Sequence, residues 1–176
     1  MRKRILAAIL FAMAALPLVA EFDRGVALFK EQKFQEAKEV FRRVLTANVS
    51  HLPANAMLAA CLYRLEQYPA ILDYFPDLIQ KRTINLNNPD QKNYASILLK
   101  HIGFACMQTG QSKRAIVSLS IANKLVSNDP TIYNSLGLAY LRIGKARLAE
   151  ISFQTAIHLF PGNSYFHNNL GAAYLE

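Results

Sequence analysis

The chain has 176 residues, of which 52% are hydrophobic and 18% charged, and its formal net charge is +8. This mixture excludes general disorder and predicts a packed body with a proper core. Two cysteines are too few for a disulfide framework, and the mild positive balance falls short of a nucleic-acid-binding extreme.

Arg2, Lys3 and Arg4 precede sixteen uncharged residues, Ile5 to Ala20. That is the layout of a secretory signal peptide, with a candidate cleavage point after Ala20. Leu18 stands where a smaller residue is usual, so an uncleaved N-terminal anchor remains the alternative. Sixteen residues fall short of the roughly 20 that span a bilayer, and cleavage is the favoured reading. Cleavage removes three positive charges and no negative one, leaving +5.

Beyond residue 20 the chain repeats itself. Leu136, Gly137 and Tyr140 recur 34 residues later as Leu170, Gly171 and Tyr174, while Ile102, Gly103 and Gly110 stand 34 residues before Leu136, Gly137 and Gly144. By the same shift Gly25, Phe34 and Phe41 map onto Ala59, Tyr68 and Phe75. From Ala59 to Gly103 the interval is 44, so about ten residues are inserted. The Asn- and Pro-containing stretch Asn85 to Asn93 reads as the inserted loop.

The copy from Pro130 to Asn163 carries Tyr133, Leu136, Gly137, Tyr140, Ala149, Phe153, Ala156 and Pro161. In this spacing they resemble the tetratricopeptide repeat, with tyrosine replacing its usual first tryptophan. The resemblance implies an all-α fold, a right-handed superhelix of antiparallel helix pairs. It divides the chain into a signal peptide or anchor (1–20), repeats 1 and 2 (21–85), an inserted loop (86–95), and repeats 3 and 4 with a partial fifth (96–176).

Mid-helix glycine costs about 1 kcal/mol against alanine, so Gly137 predicts close approach of a second helix. Ala149 and Ala156 are expected to face it, with Tyr140 and Phe153 filling the spaces beside them. Gly144 is expected to end the first helix in the left-handed conformation. Asp129-Pro130 and Pro161 mark breaks between units. Pro76 is expected to break or kink the second helix of repeat 2, which places a joint between two stiffer blocks there.

In proteins of this family the first helices of successive units line a concave groove, which commonly binds a peptide or a partner helix. The corresponding rows run Phe22, Ala56, Lys100, Asn134, Asn168; Val26, Ala60, Phe104, Leu138, Ala172; Phe29, Tyr63, Met107, Leu141, Leu175; and Lys30, Arg64, Gln108, Arg142, Glu176. Lys30, Arg64 and Arg142 suggest a positive margin beside apolar rows. Such a surface suits a segment with apolar anchors and some carboxylates. Asn134 and Asn168 are read either as grips on a bound backbone or as helix-start residues. The candidate site is thus Lys30, Tyr63, Arg64, Lys100, Phe104, Asn134, Leu138, Arg142 and Asn168.

Other chemistry finds no support. The carboxylate clamp of some family members needs Asn four residues after its Lys, and Lys100 is followed there by Phe104; the matching later sites are Ser135, Tyr165 and Asn169. A phosphate-loop echo at Gly137 to Ala146 has the wrong glycine spacing and lacks the Ser or Thr after its lysine. His51, His101, His158 and His167 show no paired metal-ligand spacing, and no nucleophile elbow is present. No cofactor, metal or catalytic residue is expected, and Cys61 and Cys106 read as small core residues.

The sequence therefore points to a non-catalytic, exported scaffold, in the periplasm or anchored to the inner membrane of a bacterial envelope, that recruits a protein or peptide. Nucleic acid is not expected as a partner. A second reading makes the chain the repeat-bearing part of a longer envelope enzyme or assembly factor. The last segment, Ser164 to Glu176, reads as a first helix without its second, which suggests truncation or self-association through that face.

Overall fold

A computed structural model describes residues 18–75 and 88–175. All regular structure in those residues is helical: α1 (18–30), α2 (Phe34–Ala47), α3 (Leu52–Arg64), α4 (Tyr68–Tyr74), α5 (Pro89–Gln108), α6 (Ser112–Leu125), α7 (Pro130–Arg142), α8 (Ala146–Leu159) and α9 (Ser164–Ala173). The expected all-α fold of packed antiparallel pairs is observed. Most of the predicted signal segment, residues 1–17, lies outside the described residues, as do Pro76 and the first part of the insertion. No helix among the described residues is long and apolar enough to cross a membrane.

Two compact units divide the described chain after Glu66. The division falls inside the second repeat, not at the insertion after residue 85 where the proline and the loop had placed it. The cause is α4, a seven-residue helix whose packing is against α5, so it belongs to the second unit. The insertion also departs from expectation, because residues 89–95 are helical. They lengthen α5 to 20 residues, and Asn88 caps it by accepting from the amides of Asp90 and Gln91 with Pro89 at the first helical position. Asn-Pro is a start signal for a helix as much as a turn signal. Asp129-Pro130 repeats the device at α7, where the Asp129 carboxylate accepts from the Thr131 amide.

In the first unit α2 and α3 bury Ala37, Val40, Phe41 and Val44 with Ala54, Leu58, Cys61 and Leu62. In the second unit Ile71, Leu98, Ile102, Leu119, Ile132 and Phe153 are the largest fully buried side chains. Cys61 and Cys106 are buried and unbridged, as a core role requires. Burial pushes the Cys61 thiol up to about 12, too high for a thiolate at neutral pH.

The glycine problem resolves into one recurring contact. A Cβ added at Gly137 lands on the Phe153 ring; at Gly25 it comes within 2.6 Å of the Phe41 ring, and at Gly103 within 2.6 Å of Leu119. The large residue follows its glycine by sixteen positions in each case. Each first helix therefore offers an alcove, and the second helix fills it with one large apolar side chain. This corrects the expectation for Gly137: the ring of Phe153 sits on it, while Ala149 and Ala156 are buried a turn to either side. Small residues there let the helix backbone come near enough for the ring to reach the floor. Gly137→Val should lower unfolding stability by about 2 kcal/mol through overpacking, whereas Gly171→Val, with nothing within 4 Å, should be close to neutral in the same denaturant titration.

The turns inside the repeats share a second device. Gln32, Glu66, Gly110 and Gly144 occupy one repeat position and all have positive φ, 61°, 57°, 77° and 70°. Around Gly144, the Lys145 amide donates to the Tyr140 carbonyl and the Gly144 amide to Leu141, the paired bonds of a left-handed helix ending. The same pair closes α1 through Lys33 and Gln32, and α5 through Gln111 and Gly110.

Candidate functional site

The polar residues expected to line a groove mostly join one repeat to its neighbour. Arg142, the last residue of α7, donates through Nη1 to the Met107 carbonyl in the last turn of α5. Arg64, the last residue of α3, lies over the Phe34 ring at the start of α2, 4.7 Å from its centroid. One repeat position thus supplies a cation that reaches back to the preceding repeat in both units. The Arg142 contact is also favoured by the partial negative charge that collects at a helix C-terminus.

The other polar row reaches forward. Lys100 on α5 pairs with Asp129 at 2.7 Å, and Asn134 on α7 accepts from Asn169 Nδ2 on α9 at 2.8 Å. Burial pushes the Asp129 carboxyl up, but the hydrogen bonds from Lys100 and Thr131 and the Lys100 charge outweigh it, and its pKa falls below the ordinary value. Asn134 is neither a helix-start residue nor an isolated grip, since it sits inside α7 with its oxygen engaged. Asn168, also read as such a residue, lies exposed within α9, whose cap is Asn163.

Of the remaining candidates, Lys30 is exposed at the last position of α1 and Tyr63 is half-buried on α3. Phe104 is half-buried on α5, edge-on to the His101 ring with centroids 6.2 Å apart. Leu138 is half-buried on α7, resting on the cluster of Ala149, Phe153 and Ala173. In the second unit, α5, α7 and α9 therefore bring together Phe104, Leu138 and the engaged pairs Lys100–Asp129, Asn134–Asn169 and Arg142–Met107. In the first unit, Phe22 from the predicted apolar rows packs on Phe41 and His51, and Ala56 and Ala60 are buried, so these three contribute little open lining.

Asp129, Asn169 and the Met107 carbonyl were missed by sequence reasoning as partners of the candidate residues. A signal was available for two of them, because both Asn134–Asn169 and Arg142–Met107 are 35 residues apart, one repeat period plus one. Arg142→Met should reduce unfolding stability by about 1 kcal/mol in urea denaturation, by removing an exposed, charge-assisted bond between repeats.

Two histidines have structural roles. His51 caps α3, its Nδ1 accepting from the Ala54 amide at 3.1 Å, and burial lowers its pKa. His101 Nδ1 lies 2.8 Å from the Ile97 carbonyl, which only a protonated nitrogen can satisfy, and burial lowers its pKa to about 4. Among the described residues no three His, Cys, Asp or Glu side chains gather as a metal site would require.

The tetratricopeptide repeat family model matches residues 22–76 and 134–176. The chain belongs to the tetratricopeptide repeat family and is a protein–protein interaction scaffold of that type. The fold is similar to a crystal structure of MamA, with TM-score 0.71 at 18% identity over 89% of this chain and 80% of that one. A MamA structure from Desulfovibrio magneticus RS-1 aligns with TM-score 0.63 at 20% identity, over 81% of this chain and 75% of that one. YrrB, described as a TPR protein with an unusual peptide-binding site, aligns with TM-score 0.68 at 19% identity, over 88% and 75% of the two chains. At these identities the likeness concerns the fold. No curated protein matches the chain in sequence.

Proposed function

We propose that the chain is a non-catalytic scaffold that holds a partner peptide or helix against the first-helix face of its second unit, formed by α5, α7 and α9. The observation that carries this is the commitment of Lys100, Asn134 and Arg142 to neighbouring repeats, which leaves Phe104 and Leu138 as the apolar lining between them. Recognition is then led by apolar side chains of the partner, with a smaller share from carboxylates than the cationic row alone suggests. The peptide-binding description of YrrB, a fold relative, is in keeping with this reading. The N-terminal charge-and-apolar pattern supports export to a bacterial envelope.

The test is affinity capture with residues 21–176 as bait, followed by measured binding of whatever is captured reproducibly. Phe104→Ala with Leu138→Ser should weaken that binding at least tenfold, while Lys30→Glu should change it less than threefold. Equal loss from Lys30→Glu, or no loss from the apolar pair in a bait that keeps its helical circular dichroism, would discard the apolar-groove reading. A C-terminal alkaline phosphatase fusion tests export separately, and an inactive fusion counts against it.

A further inference from the structure

Gly137 and Gly171 hold the same position in successive repeats, yet their surroundings differ. At Gly137 the floor of the alcove is covered by Phe153, whereas at Gly171 nothing lies within 4 Å of an added Cβ. Tyr140 is half-buried, but its counterpart Tyr174 is 62% exposed. The other side of α9 is well packed: Phe166 and Ala173 are buried, and Ala173 shares a cluster with Ala149 and Phe153. α9 is thus held firmly by one face and presents an open alcove on another. Beside it, Ala146, Arg147, Glu150, Ile151 and Gln154 of α8 line a groove of about 530 Å³ with Ala173.

The other repeats show what chemistry fits such an alcove. Its occupants, Phe41, Leu119 and Phe153, are all fully buried. Each lies four residues after an alanine, and three residues before a small or β-branched residue, on the inner side of its helix: Ala149 and Ala156 flank Phe153, and Ala115 and Ala122 flank Leu119. The open face continues the interface that α7 makes with α8, in the same register and with the same residue types. The chain's own helices of this pattern, α2, α6 and α8, already fill their own alcoves, so a second copy has none to lend without unfolding.

We propose that the α8–α9 face is a docking site for an amphipathic helix of a partner protein whose inner side reads Ala-x3-Phe-x2-Ala, with the phenylalanine seated on Gly171. The alcove takes the ring, the flanking alanines allow close approach, and Arg147 and Glu150 face the polar flank of the incoming helix. This surface is distinct from the one holding Phe104 and Leu138, and the two could be occupied together.

The probe is a helix-stapled peptide carrying residues 145–162 of this chain, titrated into the full chain by calorimetry. Binding with Kd of about 10–100 µM is expected, weakened at least tenfold by Gly171→Leu in the protein or by Phe153→Ala in the peptide. Ala172→Leu, which alters the other exposed side of α9, should leave Kd within about twofold. Tyr174→Asp serves as a second blocking variant should Gly171→Leu lose helical circular dichroism. No binding to a folded chain overturns the proposal. So does equal weakening by Ala172→Leu, which would move the peptide to the first-helix groove, and so does a dimer of the chain alone that Gly171→Leu dissociates, which would make a second copy the occupant.

Discussion

Phe153→Ala should cost about 3–5 kcal/mol of unfolding stability, the largest loss expected from any single substitution considered for the second unit. Phe153 is completely buried, sits on the backbone at Gly137, and forms a cluster with Ala149 and Ala173 on which Leu138, Tyr140, Leu141 and Leu170 pack. Truncation removes the transfer free energy of a ring and leaves a hollow bounded partly by bare glycine, where no neighbouring side chain can relax inward from the α7 side. A double-mutant cycle with Gly137→Val gives the sharper reading. The valine should fill part of the hollow, so the two losses should fall short of additivity by more than about 1 kcal/mol. Additive losses would mean that the ring and the glycine do not meet.

Acidification should weaken the fold in a definable window. His101 has a folded-state pKa of about 4, lowered mainly by burial, against an ordinary value near 6.5. The folded state therefore binds fewer protons than the unfolded chain between these values, and stability rises with pH across that interval. The contribution is complete above about pH 6.5 and is lost as pH falls towards 4, an effect on the order of 3 kcal/mol for His101. His51 acts in the same direction, because its neutral nitrogen caps α3 and burial lowers its pKa. Urea titrations from pH 7 to pH 4 should show the decline, and His101→Gln should flatten most of it. A pH profile unchanged by that substitution would assign the decline to other groups. Asp129, whose pKa is also lowered, contributes its share at the acid end of the range.

Much of the fold was legible because its unit is written more than once. The recurrence of Leu, Gly and Tyr at 34 residues, with Ala, Phe and Ala following, gave helix pairs and their order, and Gly144 does end α7 in the left-handed conformation. The insertion was misread because asparagine and proline carry the same letters whether they interrupt a helix or begin one. Only the amides accepted by Asn88 distinguish the two. The candidate site was harder still. Period placed Lys100, Asn134 and Arg142 on first helices, but a single-helix projection does not show that the adjoining repeat stands within hydrogen-bonding reach. The cations read as a margin for ligands are instead, at Arg64 and Arg142, contacts between consecutive repeats.

The four left-handed turns are unevenly equipped. Gly110 and Gly144 serve the second unit, while Gln32 and Glu66 in the first must hold positive φ with a side chain, at about 1 kcal/mol or more each. In native-state hydrogen exchange the amides of α2 should then open at lower free energy than those of α7 and α8, so that loss of structure starts on the amino-terminal side.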